Sequence, residues 1–327
     1  MESVEIDAEF MQTVLMDEFY GDGDIPGRRH VFKFENDNLQ VELPPLCMKD
    51  IFNRSHLFRF DESSTIYMWN KEGVVAGVII GAIRISIIGL RIEIPREVGN
   101  HPFINHGLFT EDERRVMDKK SDEVYFKSQR ALNYWIRIVR WKTGSHLMDR
   151  LHGIPPRETD GGALINSSTR TGFYVPLAAR TVTLGPRYVI KSDSWEEIQS
   201  ALERGDEPPI WHEYLASGHR EMIAGDSVTA TLNLAIAAES LIRTYIERKM
   251  PSGISKGLKD TAHRINISNL LNKWNSFGLP DFSEVNILRN IFEVRNKLMH
   301  SGKDDRANQQ NFIISAKAVA SLVEALE

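Results

Sequence analysis

Alternation dominates the first two thirds of the chain, and helical periodicity dominates the last third. His30-Val-Phe-Lys-Phe-Glu35 and Leu39-Gln-Val-Glu-Leu43 alternate apolar and polar positions around Asn-Asp-Asn, which predicts a β-hairpin. Residues 57–60 and 65–69 form a second such pair around Asp-Glu-Ser-Ser. The stretch 74–94 is rich in β-branched residues and broken by glycine, so two or three buried strands are expected there. Further strands are expected at 172–176 and 180–190, the second broken at Gly185-Pro186. Two helices interrupt this β-leaning region, 111–119 behind the cap residue Thr110 and 124–142. A third, 194–203, takes Asp193 or Ser194 as its cap and stops before Pro208 and Pro209.

Beyond Gly205-Asp-Glu-Pro-Pro209 the pattern becomes helical. Residues 226–249 form one long amphipathic run, capped by Asp226 or Ser227 and ended by Pro251-Ser-Gly253. Short helices are expected at 256–264 and 268–277. Asp281 or Ser283 opens a helix with apolar residues at 285, 287, 288, 291, 292, 294, 298 and 299, and Gly302 suits its C-terminus. Asp304 or Asp305 caps a final helix reaching Leu326. The expected fold class is α+β. A β-rich, mixed N-terminal domain (residues 1–205) precedes an all-α bundle of four to five helices (residues 210–327).

Composition narrows the function classes. The chain has 327 residues, 42% hydrophobic and 26% charged, which suits a globular protein rather than a disordered one. Its single cysteine, Cys47, excludes an internal disulfide framework and a cysteine-rich zinc module. The opening residues are acidic where a secretory signal would be basic, so a cytoplasmic location is expected and the sequons at Asn53, Asn166 and Asn266 read as chance. No membrane span is expected, because the most apolar stretch contains Arg84, Arg91 and Glu93. Net charge is −5. Residues 221–327 carry 13 Lys+Arg against 12 Asp+Glu, so any nucleic-acid contact there must be local.

The chemistry-bearing run is Val294-Arg295-Asn296-Lys297-Leu298-Met299-His300-Ser301-Gly302. At helical spacing Asn296 and His300 lie one turn apart on one face, with Arg295 on its flank. Those groups suit RNA cleavage without a metal. Histidine titrates near neutrality and can move the 2′-hydroxyl proton. Arginine offers a fork to the phosphorane oxygens. Asparagine can orient the phosphate or the imidazole. One copy supplies a single histidine, so acid and base work need either sequential use of it or a second copy.

The run 295–300 resembles the Arg-polar-x(3)-His signature of the HEPN superfamily, and residues 210–327 resemble its Apea-like branch. The long helix carrying Ala237-Ala238-Glu239 resembles the first HEPN helix, where an acidic residue faces the motif arginine. The segment from Pro209 to Leu215, followed by Gly225-Asp226, resembles the lead-in of members whose HEPN domain follows an unrelated one. This resemblance implies a metal-independent endoribonuclease without cofactor, working as a homodimer with Arg295, Asn296 and His300 catalytic and Glu239 supporting. Its products would be a 2′,3′-cyclic phosphate and a 5′-hydroxyl. Members serve as antiviral-defence or toxin effectors, and some HEPN domains bind RNA, nucleotide or protein without cutting. The N-terminal domain would then sense a trigger, bind a partner or position substrate.

Four other features are weighed against plainer readings. Arg137, Arg140 and Trp141 interleave charge and aromatics on 134–142, a pattern for single-stranded RNA or for an amphipathic core helix. Lys303 and Arg306 suit phosphate contacts or plain solvated surface. The run 161–170, Gly-rich with small polar donors, suits a phosphate cradle or a simple turn. His101, His106, His146 and His152 are too scattered to nominate a metal site.

Overall fold

The computed structural model describes residues 3–44, 65–69, 75–95, 110–144, 161–166, 172–174, 189–250, 261, 264–280 and 282–326. The chain is α+β and divides into two compact units, Met1–Glu207 and Pro208–Glu327. Among the described residues, no helix is long and apolar enough to cross a membrane.

The N-terminal unit is built on an eight-stranded sheet. Its strands are β1 (Ser3–Asp22), β2 (Arg29–Phe34), β3 (Asp37–Glu42), β4 (Thr65–Trp69), β5 (Val75–Pro95), β6 (Gly161–Asn166), β7 (Gly172–Tyr174) and β8 (Val189–Ile190). They run in the order β2-β3-β5-β1-β6-β7, with β4 on β5 and β8 parallel to β1. The β2–β3 hairpin forms as expected. Glu35 and Asn36, both at positive φ, make its turn, while Asp37 and Asn38 already belong to β3.

Two expectations are corrected here. Where two or three strands are expected over 74–94, Val75–Pro95 is one long strand. Gly89 bends it at φ 71°, where the pairing with β1 shifts by a residue, and the ladder continues on both sides. The helices expected at 111–119 and 124–142 are one helix, α1 (Glu111–Thr143). Lys120-Ser-Asp-Glu123 contains neither proline nor glycine, and Lys120 pairs with Glu123 one turn on. The sheet's first strand, β1, is not among the expected elements, although Val4, Ile6, Ala8 and Phe10 alternate with Glu5, Asp7 and Glu9 as a half-buried strand requires.

Alternate residues of β1, β3 and β5 bury against α1 and α2 (Ser192–Arg204). Trp135 and Trp195 close this core, and His30 sits between them. The cap of α2 differs from expectation. Neither Asp193 nor Ser194 caps it; the carboxylate of Asp22, at the end of β1, accepts the Ser192 N–H at 2.9 Å. Residues 57–60, Cys47 and most of 175–190 lie outside the described residues.

The C-terminal unit is helical: α3 (Ile210–Ile223), α4 (Ser227–Lys249), α5 (Ile267–Asn272), a 3₁₀ turn (Trp274–Phe277), α6 (Val285–Ser301) and α7 (Gln309–Glu324). The lead-in after Pro209 is itself a helix. Asp226 caps α4 by accepting the Thr229 N–H at 2.9 Å. Leu234, Ala238, Leu241 and Ile242 of α4 pack on Leu288, Ile291 and Phe292 of α6 and on Phe312 and Val319 of α7. Small residues on α4 let its neighbours approach closely. Glu284 precedes α6 without a side-chain cap bond, so Ser283 does not have the expected role, and Asp281 lies outside the described residues. Asn308, not Asp304 or Asp305, caps α7 by accepting the Asn311 N–H. Residues 256–260 lie outside the described residues.

Candidate functional site

The candidate site grows from the last two turns of α6. Leu288, Ile291, Phe292, Val294 and Leu298 anchor one face of this helix in the core. That burial turns Asn296, Met299 and His300 outward and leaves Arg295 on the boundary. The helix ends at Gly302, whose φ of 69° is left-handed and whose N–H bonds the Leu298 carbonyl at 2.8 Å. A side chain at Gly302 would be strained in that conformation.

Arg295 reaches across to α4, where its Nη2 lies 3.7 Å from the Glu239 carboxylate. Glu239 has a closer partner one turn along its own helix, Arg243 at 2.8 Å. Both pairs are about two thirds shielded from solvent, and the carboxylate therefore serves two guanidinium groups. Arg295 Nη1 also donates to Asn296 Oδ1 at 3.3 Å. The structure thus joins Arg295, Asn296 and Glu239. His300 lies on the same exposed helix end, and no hydrogen bond ties its imidazole among the described residues.

Beyond the helix, Ser301 Oγ lies 2.8 Å from the Lys297 carbonyl and 2.9 Å from the Lys303 carbonyl, so its single O–H can donate to either, tightening the turn that carries Lys303. Lys303 is exposed and its ammonium has no ion pair among the described residues. Arg306 is different. Its guanidinium grips Asp304 at 2.9 Å, Asn290 at 2.9 Å and Glu293 at 3.4 Å. The Asp304 carboxylate is 2% exposed, and the guanidinium holds its pKa below the usual carboxylate range. Arg306 therefore clasps the loop after α6 instead of presenting free charge.

The aromatic and basic run on α1 does not form an open stacking surface. Tyr134, Trp135, Ile138, Val139 and Arg140 are buried, and Trp141 packs against the core. Arg137 pairs with Glu207 at 3.0 Å. The amphipathic core helix is the form this segment takes. The proposed phosphate cradle is also corrected, since Gly161–Asn166 is strand β6, hydrogen-bonded to β1. Residues 167–170 and the histidines at 101, 106, 146 and 152 lie outside the described residues. Among those described, no cluster of three His, Cys, Asp or Glu side chains is arranged to hold a metal.

Three residues at the site, Arg243, Met299 and Ile236, are not among the candidates read from the sequence. Arg243 was legible as an i, i+4 partner of Glu239. Met299, 69% exposed beside His300, and Ile236, 38% exposed one turn before Glu239, lie at apolar positions of the helical pattern yet face solvent. No family model, characterised protein or solved structure matches the chain.

Proposed function

We propose that the C-terminal unit is a metal-independent endoribonuclease of the HEPN type, working as a homodimer. The observation that supports this most directly is the Arg295–Asn296–Glu239 cluster beside His300 on one accessible helix end. His300 takes the proton of an RNA 2′-hydroxyl as that oxygen attacks phosphorus. The bond from phosphorus to the 5′-oxygen breaks, and the leaving oxygen takes a proton from a second imidazole, supplied by the other copy. Arg295 stabilises the extra charge on the phosphorane, and Asn296 orients the phosphate. Products are a 2′,3′-cyclic phosphate and a 5′-hydroxyl.

Two features favour a dimer. Among the described residues no hydrogen bond orients the imidazole of His300, and the exposed Met299 and Ile236 flank the charged pair with apolar surface. The N-terminal unit then recognises the trigger, partner or substrate of an antiviral-defence or toxin effector. A second reading, an RNA-, nucleotide- or protein-binding module that does not cut, is favoured by Glu239, which already neutralises part of the Arg295 charge.

The test is cleavage of mixed RNA in excess EDTA, with product ends mapped. Native protein should generate cyclic-phosphate ends, and Arg295→Ala and His300→Ala should lose at least a hundredfold in rate. Equal cleavage by native protein and both variants would rule the nuclease out. RNA binding without cleavage by any of the three would favour the binding module.

A further inference from the structure

A concave site lies in the C-terminal unit, away from the His300 end of α6. It is a cleft of about 570 Å³ between α5, the 3₁₀ turn and the start of α6. That volume falls in the range typical of small-ligand sites. Trp274 and Phe282 contribute its aromatic wall, with ring centroids 6.4 Å apart. Trp274 is fixed by stacking on Tyr245 and by donating Nε1–H to the Pro280 carbonyl at 2.8 Å. Phe282 remains partly open to solvent.

Arg289 lines the same cleft and is held from two sides. Its Nη1 donates to Asn286 Oδ1 at 2.8 Å and its Nη2 to the Leu271 carbonyl at 3.0 Å. Its Nε is buried without an acceptor. Among the described residues no carboxylate pairs with it, whereas Arg243, Arg295 and Arg306 each have one. A half-buried guanidinium with no counter-ion and unused donors is costly unless an anion completes it. Its planar fork matches the oxygens of a phosphate.

We infer that this cleft binds a free mononucleotide, whose phosphate pairs with Arg289 and whose base lies against Phe282. The juxtaposition of an immobilised, unpaired guanidinium with a partly open aromatic ring in a cleft of this size carries the assignment. The site is separate from the RNA-cleaving reading, and its test does not depend on that reading.

The experiment is calorimetric titration of the full chain in phosphate-free buffer with AMP, adenosine and inorganic phosphate. AMP should bind saturably, and adenosine and phosphate at least tenfold more weakly. Arg289→Gln and Asn275→Trp, the latter filling the cleft from an exposed rim position, should each weaken AMP at least tenfold while keeping a cooperative melt. No saturable binding of AMP by the native chain would overturn the inference, even if a variant failed to fold. Adenosine binding as tightly as AMP, or native affinity in both variants, would overturn it too.

Discussion

Arg295 of α6 and Glu239 of α4 face each other at 3.7 Å across two helices, and Arg243 holds the same carboxylate at 2.8 Å. The carboxylate therefore sets where the Arg295 guanidinium stands and limits how much of its charge is free. Replacing Glu239 by Gln removes the charge and keeps the shape. Stability should fall by about 1 kcal/mol or less, because both pairs are partly solvated. If RNA is the substrate, cleavage should fall at least tenfold, since the arginine loses its anchor. Rates and melting curves of Glu239→Gln, Arg295→Ala and the double variant check both points. Additive losses would deny any coupling of the pair in catalysis.

His30 carries a pH dependence of stability. Its imidazole stacks on Trp195 at 3.6 Å, bonds the Trp195 carbonyl at 3.0 Å and accepts the Trp135 indole N–H at 2.9 Å. Burial pushes its pKa from 6.5 down to about 4, partly opposed by the bond to the Trp195 carbonyl. A group whose folded pKa is lowered binds more protons when unfolded. Its stabilisation is therefore full above pH 6.5 and is lost as pH falls from there toward 4. The amount is roughly 3 kcal/mol. Denaturant melts of native protein and His30→Gln between pH 4 and 8 should show a slope that the variant lacks.

Gln199 covers the outer edge of the sheet. Its carboxamide accepts the Val31 N–H at 3.1 Å and donates to the Val31 carbonyl at 2.8 Å, as a neighbouring strand would. Gln199→Ala should cost about 1–2 kcal/mol. It also uncovers backbone groups of β2, so concentration-dependent association is expected in light scattering. A variant that stays as monodisperse as native protein would show that α2 shields the edge without this side chain.

Gly218 marks a close approach of α3 to α4. A Cβ there would lie 3.1 Å from the Ala230 carbonyl oxygen and 3.4 Å from the Phe312 ring. The backbone oxygen belongs to a packed helix and cannot retreat freely. Gly218→Ala should therefore destabilise the helical unit by about 1–3 kcal/mol despite its better helix propensity. A thermal melt settles the sign, and a rise in melting temperature would mean that the two helices can separate there.

Sequence alone determined the α+β class, the change of character near residue 205, the β2–β3 hairpin, the long helix after Asp226 and the glycine stop at Gly302. These are local quantities. They depend on side-chain period, on caps within three or four residues and on the conformational freedom of glycine. The motif run was legible for the same reason, because spacing on a helix fixes which face a residue takes. Tertiary structure decided the rest. Asp22 caps a helix 170 residues away, and Arg306 turns back to Asp304, Asn290 and Glu293. Burial draws Arg140 and Trp141 toward the core, although their spacing also suited an exposed RNA-binding face. The joining of Arg295 to Glu239 and the isolation of Arg289 likewise depend on which helices pack together. Long-range partners compete for the same charged groups, and the winner is set by packing, which a local pattern does not encode.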